Sequence, residues 1–455
     1  MKNKKLFAAI AVIAICSVGF TACGGNGDSA GSSVPGSDSS SVANSSGAPE
    51  PIAYGLPQAA VGRYIKDADI FDDGETRYIV YTTNGESGEE DNAIGVRSAA
   101  YGEEKKDWAY GDETIVLEGE ENKWDAYIGS ASVVKGAYRL NGVSYNWLMA
   151  YCATDKTNDT QYQIGFALAQ DVAGTWTKAA SIPFIAFDGA IYGSSSVGCY
   201  APSLINLNKE SKIRVFYTYA DTYGHFARFV DIDAADVGAI YSEEAKTDVD
   251  LVSGTVQVPT NGNLSGGDAA MMFPNSDFAY DTEKEKFFAV KDYSPSAALN
   301  PNYAERIEVA SIAEEELYTA EILDGWKSIK VWTMLDTEEQ YERIYSGCIV
   351  SDAYGQVNGE DCLEVVYNHC EIEADNANWM FTQNLAAFKV NISLPDAANI
   401  SEKRKMANLY RKKRRILAAV LAGAFSCGVM SGCEEDRKST RLNSSHSRIS
   451  YAVLW

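Results

Sequence analysis

From Tyr54 to Ile392 the chain alternates short apolar runs with polar turns. The three- and four-residue spacing of an amphipathic helix is scarce; only Ala313 to Leu323 and the C-terminal tail show it. The apolar runs come in hairpins. In the first, Asp67-Ala68-Asp69-Ile70-Phe71 leads through the turn signal Asp73-Gly74 into Tyr78-Ile79-Val80-Tyr81. The same unit, an apolar strand, a polar turn and an aromatic-rich strand, restarts at Ser130, Ala201, Asn275 and Ser346. Its second strands read Trp147 to Tyr151, Val215 to Tyr219, Phe287 to Val290 and Leu363 to Tyr367. A further strand follows in each unit, at Ile94 to Val96, Ile164 to Ala167, Phe226 to Val230, Ile307 to Ser311 and Leu385 to Val390.

Successive starts lie 63, 71, 74 and 71 residues apart. Repeats of that length exceed a solenoid's usual roughly 20–50 residues. Five radial sheets of about four strands each make a five-bladed β-propeller, an all-β fold. Two stacked β-sandwiches are the competing arrangement, and the regular spacing favours the propeller. The first strand of each blade then lines a central channel, which puts Asp67 at a mouth shared by all five blades.

The ends of the chain carry different signals. Lys2, Lys4 and Lys5 precede an apolar stretch from Leu6 to Phe20, too short to span a bilayer comfortably. It closes on Thr21-Ala22-Cys23, which resembles a bacterial lipobox and makes Cys23 the expected lipidation site; an ordinary signal peptide cut near Ala22 is the other reading. Residues 24–50 are mostly Ser, Gly, Asn, Asp and Ala, a composition that reads as a disordered tether. The propeller is expected over 51–396, on an exported protein held at the bacterial cell surface by its lipid alone. From Met406 a second basic and apolar stretch ends in Ser431-Gly432-Cys433. It resembles the start of a neighbouring lipoprotein, and the last residues resemble adaptor-derived sequence, so 397–455 is set aside as a non-domain tail.

The formal charge of −24 becomes −32 over residues 51–400, because the tail carries +8 and the first fifty residues are neutral. Such a surface argues against nucleic acid, whose phosphates need neutralising. No phosphate loop, nucleotide fingerprint, Ser/His/Asp signature or zinc spacing is present, so neither cofactor nor metal is expected. Five cysteines remain in the exported part, at 152, 199, 348, 362 and 370; most read as small buried hydrophobes, with a Cys362–Cys370 bridge as one option.

The opening Asp67-Ala68-Asp69-Ile70-Phe71 and the phrase Tyr162 to Lys178 resemble the five-bladed propellers of glycoside hydrolase family 43. The likeness runs from about Tyr54 to Ile392. It implies three acids at the channel: a general base on the first blade, a tuning acid on the third and a Glu general acid on the fourth. Asp67 fits the base. The other two positions fall at Ala201 or Ser203 and at Asn275, with no acid, although Asp277 is close. Asp125, Asp268 and Asp277 are the candidate catalytic substitutes. Asp69, Ser130, Asp292 and Asp352 are candidate binding residues, with Trp124, Tyr127, Tyr200 and Tyr223 as sugar platforms. A solvated loop acid or a core aromatic is the competing reading for most of them. The function expected first is acid/base hydrolysis of arabinose- or xylose-type linkages in an oligo- or polysaccharide at the channel, by a monomer; the alternative is glycan binding without catalysis, and a protein-binding scaffold is a third reading.

If Cys23 carries the lipid, Cys23→Ala abolishes labelling by palmitate analogues and releases the protein from membranes. Labelling that persists in the variant contradicts the assignment.

Overall fold

The computed structural model describes residues 50–51, 55–60, 62–84, 92–100, 109–156, 160–189, 196–220, 225–241, 254–255, 273–292, 306–317, 326–337, 341, 343–370 and 383–392. They form five sheets, in chain order, antiparallel except that the two-residue strand Ser351–Asp352 pairs in parallel with the inner strand of the first. Blade one is Lys66–Asp72, Thr76–Asn84, Asn92–Ala100 and Thr114–Glu118. Blade two is Tyr127–Leu140, Val143–Thr154, Gln163–Ala169 and Thr177–Lys178. Blade three is Gly198–Asn206, Lys212–Ala220, His225–Asp233 and Gly254–Thr255. Blade four is Asp277–Asp281, Lys286–Asp292, Arg306–Ala313 and Lys327–Thr333. Blade five is Arg343–Ile349, Cys362–Cys370 and Asn384–Asn391, and its outer edge is taken by Glu50–Pro51 from the start of the propeller. The protein is a five-bladed β-propeller, closed by an N-terminal strand added to the last sheet. All of these strands belong to one compact unit, Ser46–Trp455; a separate unit, Met1–Ser45, lies outside the described residues, as does everything after Ile392.

Each junction between blades has its own apolar core. Val80, Ile94 and Leu117 of blade one meet Ile128, Trp147 and Met149 of blade two. Leu148 and Ile164 meet Leu204 and Val215, and Phe216 and Phe229 meet Phe278 and Phe287. Val290 and Val309 meet Val365 and Phe388, and Ile79 and Tyr81 meet Cys348 and Val366, which closes the circle. Successive residues of a strand point to opposite faces of its sheet. Hence Ile79 and Tyr81 pack toward blade five while Val80 packs toward blade two, and a run such as Tyr78 to Tyr81 has no polar face to spare.

The blades are also stitched near the axis. Residues Asp67, Ser130, Ala201, Asn275 and Ser346 all have positive φ, from 37° to 51°. In blades one, two, three and five the pairing of inner and second strand slips at this point. Two residues past each left-handed residue, a side chain accepts a backbone N–H from the next blade. Val133 donates to Asp69 Oδ2 (2.6 Å), Leu204 to Ser132 Oγ (3.0 Å), Phe278 to Ser203 Oγ (3.0 Å) and Ile349 to Asp277 Oδ2 (2.8 Å). At the fifth junction the equivalent position is Cys348, whose sulfur faces the Ile70 N–H.

A second ring uses the second strands. The N–H of Ser130 donates to Thr82 Oγ1 (2.8 Å), that of Ala201 to the Cys152 sulfur, that of Ser346 to Asp292 Oδ1 (2.7 Å) and that of Asp67 to Asn368 Oδ1 (2.8 Å). Between blades three and four the link is made by side chains, Thr218 Oγ1 to Ser276 Oγ at 3.1 Å.

The far end of the channel is plugged. Residues 351–357 of blade five cross it and touch every other blade. Ala353 N–H donates to Asp72 O, and Lys135 N–H donates to Ala353 O. Asn206 N–H donates to Tyr354 O, and Tyr280 N–H to Gly355 O. A side chain on Gly355 (φ 74°) would meet the Leu204 carbonyl at 2.5 Å, so glycine is required there.

Among the described residues no helix is long and apolar enough to cross a membrane. The helical reading of Ala313 to Leu323 reduces to the single turn Glu314–Leu317, and residues 318–323 lie outside the description. Cys362 and Cys370 end the same strand, roughly 26 Å apart at strand rise, so no bridge joins them.

Asn368 holds the closing junction from both sides, because its Nδ2 also donates to Ile65 O (2.7 Å). Asn368→Ala leaves a buried N–H and a buried carbonyl without partners, and each such group costs about 1–3 kcal/mol. Urea unfolding is expected to show a loss of about 2–5 kcal/mol. A loss near zero would mean the ring closes without this residue.

Candidate functional site

The plug turns the channel into a blind pit. Its mouth is made by the five left-handed residues, Asp67, Ser130, Ala201, Asn275 and Ser346, and its wall by Asp69, Ser132 and Asp277 one step deeper. The hollow is shallow: the space open to the centre of a water molecule is about 30 Å³, and 330 Å³ is reached only with the solvent above it included. The left-handed conformation is what aims these side chains. It turns the chain near the start of each inner strand, so each blade presents one residue to the mouth, and blades one, two and four present the residue two further on to the wall. Asp and Asn tolerate this conformation better than other side-chain-bearing residues.

Asp67 is half-buried at the rim and accepts the Ser346 hydroxyl on Oδ1 at 2.7 Å. Asp69 and Asp277 line the wall, but their oxygens are engaged. Asp277 Oδ1 takes the Ser203 hydroxyl (2.7 Å) while Oδ2 holds Ile349 N–H. Asp69 Oδ2 holds Val133 N–H, and the Ser132 hydroxyl also bonds to this carboxylate. Burial, and then the charge of Asp277, raise Asp69 well above the usual carboxylate range, and burial lifts Asp277 to about 6. Both side chains keep some surface toward the pit. They are accessible from it yet deep enough for desolvation to dominate.

Asp292 is buried behind the mouth. Its Oδ2 accepts Asn275 Nδ2 at 2.6 Å and its Oδ1 accepts Ser346 N–H at 2.7 Å. Burial outweighs those two bonds and pushes it up to about 7.

The remaining candidates lie elsewhere. Asp125 is buried on the flank of blade two, paired with Lys178 at 2.7 Å and accepting the Tyr151 hydroxyl at 3.3 Å. Asp352 belongs to the plug, where its Oδ1 accepts Tyr354 and Gln356 N–H, both at 2.9 Å. Trp124 stacks on Tyr151, centroids 5.8 Å apart, against the packing between blades one and two. Tyr127 begins the inner strand of blade two opposite Thr154 and does not line the pit. Tyr200 is buried, with its hydroxyl 2.7 Å from His225 Nδ1. Asp268, Tyr223 and Cys23 fall outside the described residues. Among the described residues the pit has no aromatic and no basic lining residue, and no group of three His, Cys, Asp or Glu is placed to hold a metal ion.

Thr82, Thr218 and Asn368, for which the sequence suggested no role, carry much of the geometry together with Cys152, read only as a small buried hydrophobe, and Asp292, a candidate binding residue. Thr82, Cys152, Thr218, Asp292 and Asn368 hold equivalent places on the five second strands. Four of the five follow a Tyr directly, a signal visible in the repeat.

Buried carboxyls make stability depend on pH in a definite direction. Asp277 (about 6), Asp292 (about 7) and Glu364 (about 7, raised by burial) all bind protons more tightly folded than unfolded. Between about pH 4 and each folded value the native chain therefore holds more protons, and stability falls as pH rises. His369, lowered to about 4 by burial, opposes them, since it is protonated only in the unfolded chain over that window. The melting temperature is expected to rise on going from pH 7 to pH 5, and Asp292→Asn is expected to flatten the slope. A lower melting temperature at pH 5 would contradict these environments.

No protein-family model matches the chain, and neither does any curated protein. Among solved structures, similar folds include an α-L-arabinofuranosidase from Podospora anserina in complex with cellotriose, at 10% identity and TM-score 0.45, covering 75% of this chain and 95% of that one. The catalytic domain of a GH62 α-L-arabinofuranosidase from Coprinopsis cinerea has 10% identity and TM-score 0.46, with 76% and 97% covered. A GH43_1 enzyme from Xanthomonas citri complexed with xylose has 12% identity and TM-score 0.43, with 74% and 89% covered.

Proposed function

We propose that the mouth of the pit binds a carbohydrate without hydrolysing it, as the recognition head of an exported, lipid-anchored protein. The observation that carries this reading is the occupancy of the five mouth positions. They hold one carboxylate, Asp67, with two hydroxyls, an amide and a methyl group. Glycoside hydrolysis ordinarily takes two carboxyls flanking the scissile bond, one to give a proton and one to activate water or attack. The third- and fourth-blade positions that the family resemblance reserves for acids carry Ala201 and Asn275. The carboxyls one step deeper hold the backbone of neighbouring blades, and recruiting either would undo a stitch. What the mouth does offer is a cluster of short polar side chains, which suits the adjacent hydroxyls of a sugar. Arabinose- and xylose-type glycans are the first class to try.

One observation favours hydrolysis. Asp292 can carry a proton near neutral pH and sits against two mouth residues. In that reading Asp67 is the base and Asp292 the acid, which reaches a substrate only if the Asn275 side chain moves aside, because its present partners, an amide NH₂ and a backbone N–H, cannot relay a proton.

A glycan array and a panel of chromogenic arabinosides and xylosides, run on wild type and Asp67→Asn, separate the two. The binding reading expects no turnover from either protein, and an affinity for the selected glycan weakened in the variant by about 1.5–3 kcal/mol, the worth of a charged hydrogen bond. Wild-type turnover that falls about 10²–10⁴-fold in the variant would replace it with the hydrolase reading. Unchanged binding and no turnover would remove Asp67 from the site.

A further inference from the structure

The Asn275 side chain lies between the pit and a buried acid. Asn275 is one of the residues lining the mouth, and its Nδ2 is 2.6 Å from Asp292 Oδ2. An ionised carboxylate can only accept hydrogen bonds, so it must meet the NH₂ end of the amide. That leaves Oδ1 as the atom Asn275 offers the pit. A protonated Asp292 has an O–H to give. Its other oxygen is already held by Ser346 N–H at 2.7 Å, so the proton belongs on Oδ2, facing Asn275. A donor there is satisfied only when the amide turns over, which brings Oδ1 to Asp292 and Nδ2 to the pit.

We infer that Asp292 is a positioning residue that sets which end of the Asn275 amide meets a ligand, so that the mouth offers an acceptor when Asp292 is ionised and a donor when it takes a proton from solvent. The inference builds on the reading of the mouth as a carbohydrate site and names what selects its ligand. With Asp67 on the same rim, one blade removed across Ser346, an Asn275 acceptor gives the mouth two acceptors that prefer ligand hydroxyls as donors; the turned amide gives it one donor and one acceptor. The groups facing Asp292 permit the switch near neutrality. Asp67 on blade one disfavours its charge, while Arg343 on blade five favours it more weakly than burial opposes it. The Tyr200 and Tyr345 side chains, on blades three and five, both feel the Asp292 charge and complete its surroundings. The carboxyl then sits at about 7.

The test needs no ligand, so its outcome is read separately from whether a sugar binds. In the ¹⁵N-labelled full-length chain, the Asn275 side-chain amide resonance is identified by its loss in Asn275→Ala, a change that places at this position the residue blade three already has at Ala201. It is then followed from about two units below to about two units above the Asp292 midpoint. The inference expects one sigmoidal shift in wild type. It also expects Asp292→Asn to hold the resonance at the wild-type low-pH limit at every pH. The reason is that the new Oδ1 stays with Ser346 N–H and the new Nδ2 then faces Asn275 as a permanent donor. A wild-type resonance that does not move, or an Asp292→Asn resonance fixed at the high-pH limit, overturns the inference. If Asp292→Asn does not fold, the wild-type titration decides alone.

Discussion

The interaction on which the molecule depends is the hydrogen bond from one blade's backbone to the side chain of the blade before it. In four of the five blades a left-handed residue near the start of the inner strand interrupts its pairing with the second strand. Backbone N–H groups so released and buried need partners. Short side chains of the preceding blade supply them twice over, from its inner strand and from its second strand. The same interruption turns the first side chain of each blade into the channel. Closing the ring and building the mouth are therefore one act, and a residue cannot be altered for one purpose without consequence for the other.

This coupling explains the acidity of the pit. Ser132, Ser203 and Cys348 stitch their junctions with neutral atoms, whereas Asp69 and Asp277 use carboxylates. A carboxylate accepts a backbone N–H more strongly than a hydroxyl does, but two of them along one wall repel, and burial disfavours both charges. The result is a pair that holds protons at mildly acid pH, set below a rim where Asp67 stands against Ser346. The deeper carboxyls are structural first. Their charge shapes the field of the pit without making them available as acids.

Much of this was legible in the chain because the propeller repeats. The phase of the aromatic second strands placed the five blade starts, and those starts are the five left-handed residues of the mouth. Asp67, Asp69, Ser130 and Asp277 thus fell in the pit by register alone. What could not be read depends on contacts far apart in sequence. Asp125 looks like a loop acid until Lys178 is brought beside it. Asp352 looks like a blade-start acid until residues 351–357 cross the channel and use it to cap their own turn. Trp124 resembles a platform until it packs on Tyr151. The acceptor role of Asp292 and Asn368 was hidden for the same reason, since each serves a residue that begins another blade.

The proposed role follows from what the mouth retains and what it lacks. In the proposed reading the short polar side chains of the mouth grip a sugar, and the single rim carboxylate, with Ala201 and Asn275 at the matching places of blades three and four, withholds the second half of the chemistry. A crystal structure of the chain grown with a glycan selected on the array tests this most directly. The account predicts an intact glycan at the mouth, with hydroxyls within hydrogen-bond reach of Asp67 and Asn275. A cleaved product in the pit, or an intact glycan bound away from it with the mouth filled by water, would contradict it.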